Sequence, residues 1–524
     1  MNVKYLFKLA IFIAAVFGYT AYAEDAPQVS ENLKLESDGI SSFYTFNYPS
    51  IDCDGNPIVL SSALVAWTPE ALSEEDKIET VIIGCHITIV ANYECPTQYP
   101  VDHTTSDTAL FAMLPVTESS YYKPLRKSVI IIPDYEGYGV TKQRSHPYLS
   151  QELTSRQVAD AVTYGLSLYR KLAEDGNHPQ MSDHFASFCI GFSQGGAVAL
   201  ATQRHIETNK LSEQLHFAGS LCGDGPYDLV TTLRYYMEDD GDSYGVTTEH
   251  RKGTLSMTIA LPLIIKGMCD SNPYMKSHSL SDYFTKQFLD TGIIGWIEDK
   301  SKEKSQQKST GDIDKLLYQI CEDGVVANDG TTYTPEQMQE MFPTHEKIGS
   351  WFSTGYKVIA DLSKVFTPDC FDYLSNPDNF QNTPEENGDA MTDLHRALAS
   401  NSLVYGWEPE HRIAFMHSKH DMIVPYGNYE VFAENHPDAD TRIDVFTEND
   451  HIAAGTTFYL GMLGETVKHI QWIAEAIPPD DVEPVYLDSR SDDDAWYTIT
   501  GLRLTSRPTT PGIYIHHGKK HIIR

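Results

Sequence analysis

The residues best suited to chemistry are a serine, an aspartate and a histidine, met in that order along the chain. Ser193 lies in Gly191-Phe192-Ser193-Gln194-Gly195-Gly196, Asp421 in His417-Ser418-Lys419-His420-Asp421-Met422-Ile423-Val424-Pro425, and His451 closes Glu448-Asn449-Asp450-His451. A serine hydroxyl is a weak nucleophile. It needs a base within hydrogen-bond reach, and that base needs an acid to fix its tautomer. Together the three could attack a carbonyl carbon, form an acyl-enzyme and release it to water. The bare Gly-x-Ser-x-Gly pattern is expected by chance in about one chain in six of this length and glycine content. Its setting carries the weight. An apolar strand over residues 185–190 leads in and an alanine-rich helix from 197 leads out, the strand-turn-helix context that exposes a serine at a sharp elbow. Asp421 and His451 each follow a short apolar strand, at 413–416 and 443–446. Asp444, inside a strand, and Asp450, beside the histidine, are weaker candidates for the acid.

A tetrahedral oxyanion needs two backbone N–H donors. The residue after the nucleophile, Gln194, supplies one at a helix N-terminus, where developing negative charge is favoured. The other is expected from Cys85-His86-Ile87-Thr88 after the strand at 80–84, with Ile87 and Thr88 both open. His86 is a candidate second base, although a histidine in such a loop more often braces the turn. No metal site is expected. The eight cysteines include no CxxC pair, the Asp239, Asp240, Asp242 cluster lacks calcium-loop spacing, and His516, His517 and His521 read as exposed tail residues. No cofactor is expected either.

These residues must be positioned by a sheet. Residues 58–67 alternate like a strand, while 80–84 and 128–132 are short continuous apolar strands suited to burial on both faces. Val158, Val162, Leu166, Tyr169 and Ala173 recur at helical spacing. Strands at 185–190, 216–221, 413–416 and 443–446 and a closing helix over 453–477 complete an alternation of strands and helices. The pattern predicts an α/β fold, a mostly parallel sheet with helices on both faces. Residues 228–403 interrupt it with a largely helical insertion, including a helix start at Thr334-Pro335-Glu336-Gln337, polar loops at 300–308 and 384–387, and an apolar segment at 255–268. The expected organisation is a core over 24–227 and 404–477 with the insertion as a cap.

The ends have their own character. Lys4 and Lys8, an apolar run over 9–17 and Ala21-Tyr22-Ala23 read as an export signal over residues 1–23, too short to anchor in a bilayer. An acidic linker over 478–494 precedes a small β tail over 495–524. Among 524 residues, 39 Lys+Arg against 73 Asp+Glu give a net charge of −34, which repels nucleic-acid phosphates and excludes nucleic acid as an expected partner. Export permits disulfides, but Cys85 and Cys189 lie in apolar strands and read as buried thiols.

Ser193 with Gly191 and Gly195, the loop Asp421 to Pro425, His451, Pro133-Asp134-Tyr135-Glu136-Gly137-Tyr138-Gly139 and His86-Ile87-Thr88 together resemble the secretory lipase family of the fungal lipase A type, a branch of the α/β hydrolases. The likeness covers about residues 40–476. It implies an α/β-hydrolase fold with a helical cap over an acyl site, and it implies Ser193, Asp421 and His451 as nucleophile, acid and base. Ile87 departs from the family, many of whose members carry glycine there. The C-terminal tail, with Gly512-Ile513-Tyr514-Ile515 and Gly518-Lys519-Lys520, resembles type IX sorting tails. A secreted or cell-surface serine hydrolase acting on carboxylic esters, a lipase or carboxylesterase, is the expected function. Its expected partners are a small-molecule or lipid ester, a transient lipid interface, and export machinery through the signal peptide and tail. A serine peptidase on the same fold is the alternative, and a non-enzymatic adhesin with a degenerate hydrolase body is a third reading.

Overall fold

A computed structural model describes residues 30–34, 41–67, 76–99, 127–248, 250–310, 325–326, 332–333, 360–385, 388–437, 442–461, 496–498, 503–504, 507, 512–516 and 519–523. The chain divides into two units, Met1–Ile477 and Pro478–Arg524.

The first unit is built on a nine-stranded sheet. In chain order its strands are β1 (Ser30–Lys34), β2 (Ser41–Ile51), β3 (Pro57–Trp67), β4 (Ile78–Cys85), β5 (Ser128–Pro133), β6 (Met181–Phe192), β7 (Phe217–Gly223), β8 (Arg412–Ser418) and β9 (Arg442–Thr447). The spatial order is β1-β2-β3-β5-β4-β6-β7-β8-β9. From β5 to β9 every pairing is parallel, whereas β1, β2, β3 and β5 pair antiparallel. This is the mostly parallel sheet expected from the apolar runs. Val81, Ile83, Val129, Ile131, Phe188 and Cys189 in its central strands have no exposed surface. Cys85, Cys189 and Cys222 are buried free thiols.

Helix α1 (Gln151–Glu174) buries Val158, Val162, Leu166, Tyr169 and Ala173, the stripe predicted from spacing. Gly165 is on the same face, and a Cβ there would come within 2.7 Å of Ile131 Cδ1 on β5. Helix α2 (Gln194–Thr208) follows β6 directly. The chain then leaves the sheet after β7 and returns only at β8. The described part of this insertion is mainly helical, with α3 (Leu229–Glu238), α4 (Ala260–Ser271) and α5 (Ala390–Ser400) its longer helices. The apolar segment at 255–268 is packed inside, with Leu261, Leu263, Ile264, Ile265 and Met268 all buried. The helix start at Thr334 lies outside the described residues.

Two expectations need correction. The stretch at 300–308 is not uniformly a polar surface loop, because Lys300 is only 1% exposed. Its Nζ donates to Ile297 O at 2.9 Å and sits 4.7 Å from the Tyr138 ring centre, so carbonyls and an aromatic face replace water. The final helix, α6 (His451–Thr456), begins at the histidine itself and passes into a π-turn at Thr457–Gly461. The rest of the predicted closing helix lies outside the described residues, as does the export signal.

In the second unit, the four short strands Trp496–Thr498, Arg503–Leu504, Gly512–His516 and Lys519–Ile523 form an antiparallel sheet. Trp496 stacks on His516 across it, with ring centres 4.3 Å apart.

Candidate active site

Ser193 sits between β6 and α2 with φ 57° and ψ −123°, a backbone conformation strained for any residue with a Cβ. Close backbone approach imposes this turn. A Cβ on Gly191 would lie 2.2 Å from Gly195 O, and one on Gly195 would lie 2.1 Å from Cys85 O. Ser193 N donates to Gly223 O at 2.8 Å, tying the elbow to the end of β7.

The structure brings all three expected residues together. His451 Nε2 lies 3.0 Å from Ser193 Oγ, although 258 positions separate them, and His451 Nδ1 lies 2.5 Å from Asp421 Oδ2. The other carboxylate oxygen, Asp421 Oδ1, accepts from Ile423 N at 2.8 Å and Val424 N at 2.9 Å. These bonds aim the carboxylate at the imidazole and leave Nε2 facing the hydroxyl. Burial alone would raise the Asp421 carboxyl, but the charge and hydrogen bond of His451 outweigh it and hold Asp421 below the ordinary range. His451 is buried and flanked by Phe192, whose ring centre is 5.0 Å away. The competing carboxyls are otherwise placed. Asp450 caps α6 by accepting from Ala453 N, and Asp444 sits within β9 opposite Phe415.

Gln194 is the first residue of α2 and is buried. Its side-chain amide donates to His146 Nε2 at 2.7 Å, and His146 Nδ1 donates to Glu136 O at 2.8 Å. Burial lowers His146 to about 3, so the ring is neutral and can accept from Gln194. The loop after β4 runs beside the elbow, since the carbonyls of both Cys85 and His86 face Gly195. In that loop Thr88 Oγ1 bonds Tyr148 Oη at 2.7 Å. His86 is fully buried and stacks on Tyr135 at 3.9 Å. Its nitrogens face Ile87 O at 2.7 Å and Asp134 O at 3.2 Å, which makes it a brace for the turn. Burial lowers it to about 4.

The insertion also grips the acid loop. Tyr236 on α3 donates its hydroxyl to Ile423 O, and Asn428 bonds Asp228 N and Thr232. Among the described residues, one cluster has donor atoms close enough to share a cation, namely Asp224, Asp421 and His451, within 4.8 Å of one another. Asp421 and His451 are hydrogen-bonded to each other, Asp421 also to the backbone N–H groups of Ile423 and Val424 and His451 to Ser193. The Asp239 cluster is a turn in which Asp239 accepts from Gly241 N and Ser243 Oγ.

Sequence reasoning missed Asp224 and His146. Asp224 carries one available signal: it directly follows an apolar strand, and Asp421 too comes shortly after one. His146 carries none, because only the fold places it against Gln194.

No family model matches the chain, and no curated protein matches it. Among solved structures it is similar to a rice cell wall degrading esterase, LipA, from Xanthomonas oryzae. The ligand-bound form aligns with 18% identity and TM-score 0.54 over 82% of this chain and 89% of that one. A putative hydrolase from Legionella pneumophila aligns at 15% identity and TM-score 0.54, over the same shares of the two chains. Candida antarctica lipase A aligns at 10% identity and TM-score 0.51, over 84% of this chain and 81% of that one. At these identities the likeness shows a shared α/β-hydrolase fold.

Proposed function

We propose that this chain is an exported serine hydrolase of carboxylic esters, a lipase or carboxylesterase working through an acyl-enzyme. The observation that carries the reading is the relay on the strained elbow, with Ser193 Oγ 3.0 Å from His451 Nε2 and His451 Nδ1 2.5 Å from Asp421. In the proposed reaction His451 takes the proton of Ser193 as Oγ attacks the ester carbonyl, and Asp421 stabilises the imidazolium that forms. Backbone N–H groups of Gln194 and of Ile87 or Thr88 hold the oxyanion. His451 returns the proton to the departing alcohol, and water clears the acyl group by the same steps.

The esterase and lipase names of similarly folded proteins support an ester as the scissile bond. A small-molecule or lipid ester suits the largely helical insertion, read as a cap spanning residues 228–403. Ile452, beside the base and 50% exposed, offers an apolar contact to an acyl chain or lipid. The signal over 1–23 and the tail over 495–524 are read as export elements, with an acidic linker at 478–494 between core and tail. The test is a panel of esters of increasing acyl length, with Ser193→Ala as blank. The reading expects turnover that falls by about four orders of magnitude or more in the variant; equal turnover by Ser193→Ala would overturn it.

A further inference from the structure

Asp224 is a second buried carboxyl in the relay, and the mechanism above does not use it. It directly follows β7, with its N–H donating to Met416 O at 2.9 Å, so it stands at the end of the strand adjacent to the one that carries Asp421. Its side chain has no exposed surface. Oδ1 accepts from Ser418 N at 3.0 Å, while the buried Oδ2 has no hydrogen-bond partner among the described residues as long as both carboxyls are read as acceptors. The two carboxyl groups are close: an oxygen of Asp224, an oxygen of Asp421 and a His451 nitrogen lie within 4.8 Å of one another. The ionisable groups around Asp224 are Asp421 after β8, His451 on α6 and Tyr227 from its own segment; His417 on β8 acts on Asp421 and His451, and Cys222 acts on Tyr227. Burial lowers His417 to about 4 and pushes the Cys222 thiol and the Tyr227 phenol upward, so none of these three carries charge at neutral pH. Two carboxyls then share a single imidazole, which Asp421 already holds.

We propose, resting on the hydrolase reading above, that Asp224 is a positioning residue: a carboxyl that keeps its proton and directs it at Asp421, making the acid of the relay a two-carboxyl unit. Burial, followed by the negative charge of Asp421, pushes Asp224 well above the ordinary carboxyl range, in agreement. A neutral donor spreads the charge of Asp421 and fixes its orientation. An ionised Asp224 would instead add a second negative charge, which would hold the proton on His451 and slow its return to the leaving group.

The test compares Asp224→Asn, which copies a protonated carboxyl, with Asp224→Ala, which removes the donor. Asp224→Asn should keep kcat/KM within about threefold and leave the acidic limb of its pH profile in place. Asp224→Ala should lose about tenfold or more, with the acidic limb displaced to higher pH because Asp421 then binds the imidazolium more strongly. A limb that moves to lower pH in Asp224→Asn would mean that a charge had been removed, and would overturn the proposal. So would an unmoved limb in Asp224→Ala. Infrared difference spectra of wild type against Asp224→Asn at neutral pH give a readout independent of turnover. A protonated-carboxyl carbonyl band present in wild type and lost in the variant supports the proposal, and its absence from wild type overturns it. A protein that cleaves no ester would sink the hydrolase reading while the infrared result still decides the state of Asp224.

Discussion

Ser193 would draw its reactivity from the two bonds that hold His451 between it and Asp421, and each bond can be removed separately. Asp421→Asn keeps the shape but lets the imidazole take the wrong tautomer, and it should lower kcat by about four orders of magnitude with little change in KM. An Asp421→Asn enzyme within tenfold of wild type in steady-state kinetics would mean that the acid lies elsewhere. Gln194 is a subtler case. Its amide is anchored on His146 and its backbone N–H is the proposed oxyanion donor, so His146→Phe should lower kcat more than it raises KM. The serine, aspartate and histidine were legible in the sequence because each follows an apolar strand, Ser193 at once and the other two within a few residues, and strand ends in a parallel sheet emerge on one rim. Asp224 carried the same strand-end signal, but its part depends on Asp421, and that of His146 on Gln194, contacts that no local pattern encodes.

At the scale of elements, the elbow is set by backbone atoms that leave no room for a methyl group. Gly195→Ala would push a Cβ to 2.1 Å from the Cys85 carbonyl oxygen, and neither backbone can yield cheaply. Such overpacking should cost about 3 kcal/mol or more, read as a lowered urea midpoint together with lost activity; an unchanged midpoint would contradict the tight turn. The Tyr236 hydroxyl joins the insertion to the acid loop at Ile423 O. Tyr236→Phe should destabilise the protein by about 1 kcal/mol by thermal denaturation. The parallel strands were legible as continuous apolar runs. The antiparallel edge was less so: β2 mixes polar and apolar residues and contains Pro49, and it became recognisable only through its full-length pairing with β3. Lys300 misled for the opposite reason, since a charged residue in a polar stretch gives no sign that carbonyls and a tyrosine ring will enclose it.

For the whole molecule, the α/β class and its mostly parallel sheet followed from alternation of strand and helix patterns over hundreds of residues, a signal that survives local errors, while the hydrolase fold within that class was implied by the resemblance. Acid sensitivity, in contrast, arises from burial. His86 is ordinary at about 6.5 when unfolded and falls to about 4 in the fold, so its contribution to stability is present above pH 6.5 and is lost as pH falls toward 4. Across that window the unfolding free energy of wild type relative to His86→Asn should fall by about 1.4 kcal/mol per pH unit. Parallel pH dependences in urea titrations would show that His86 is not the buried neutral group described.

The central claim concerns the hydroxyl of Ser193 as the attacking group, and a fluorophosphonate that mimics the acyl transition state reports on it directly. Mass spectrometry of the digested, labelled protein should find one adduct, on the peptide containing Ser193, formed far more slowly in His451→Ala. An unlabelled Ser193 in a protein that hydrolyses esters, or an adduct that forms as fast without His451, would contradict the account.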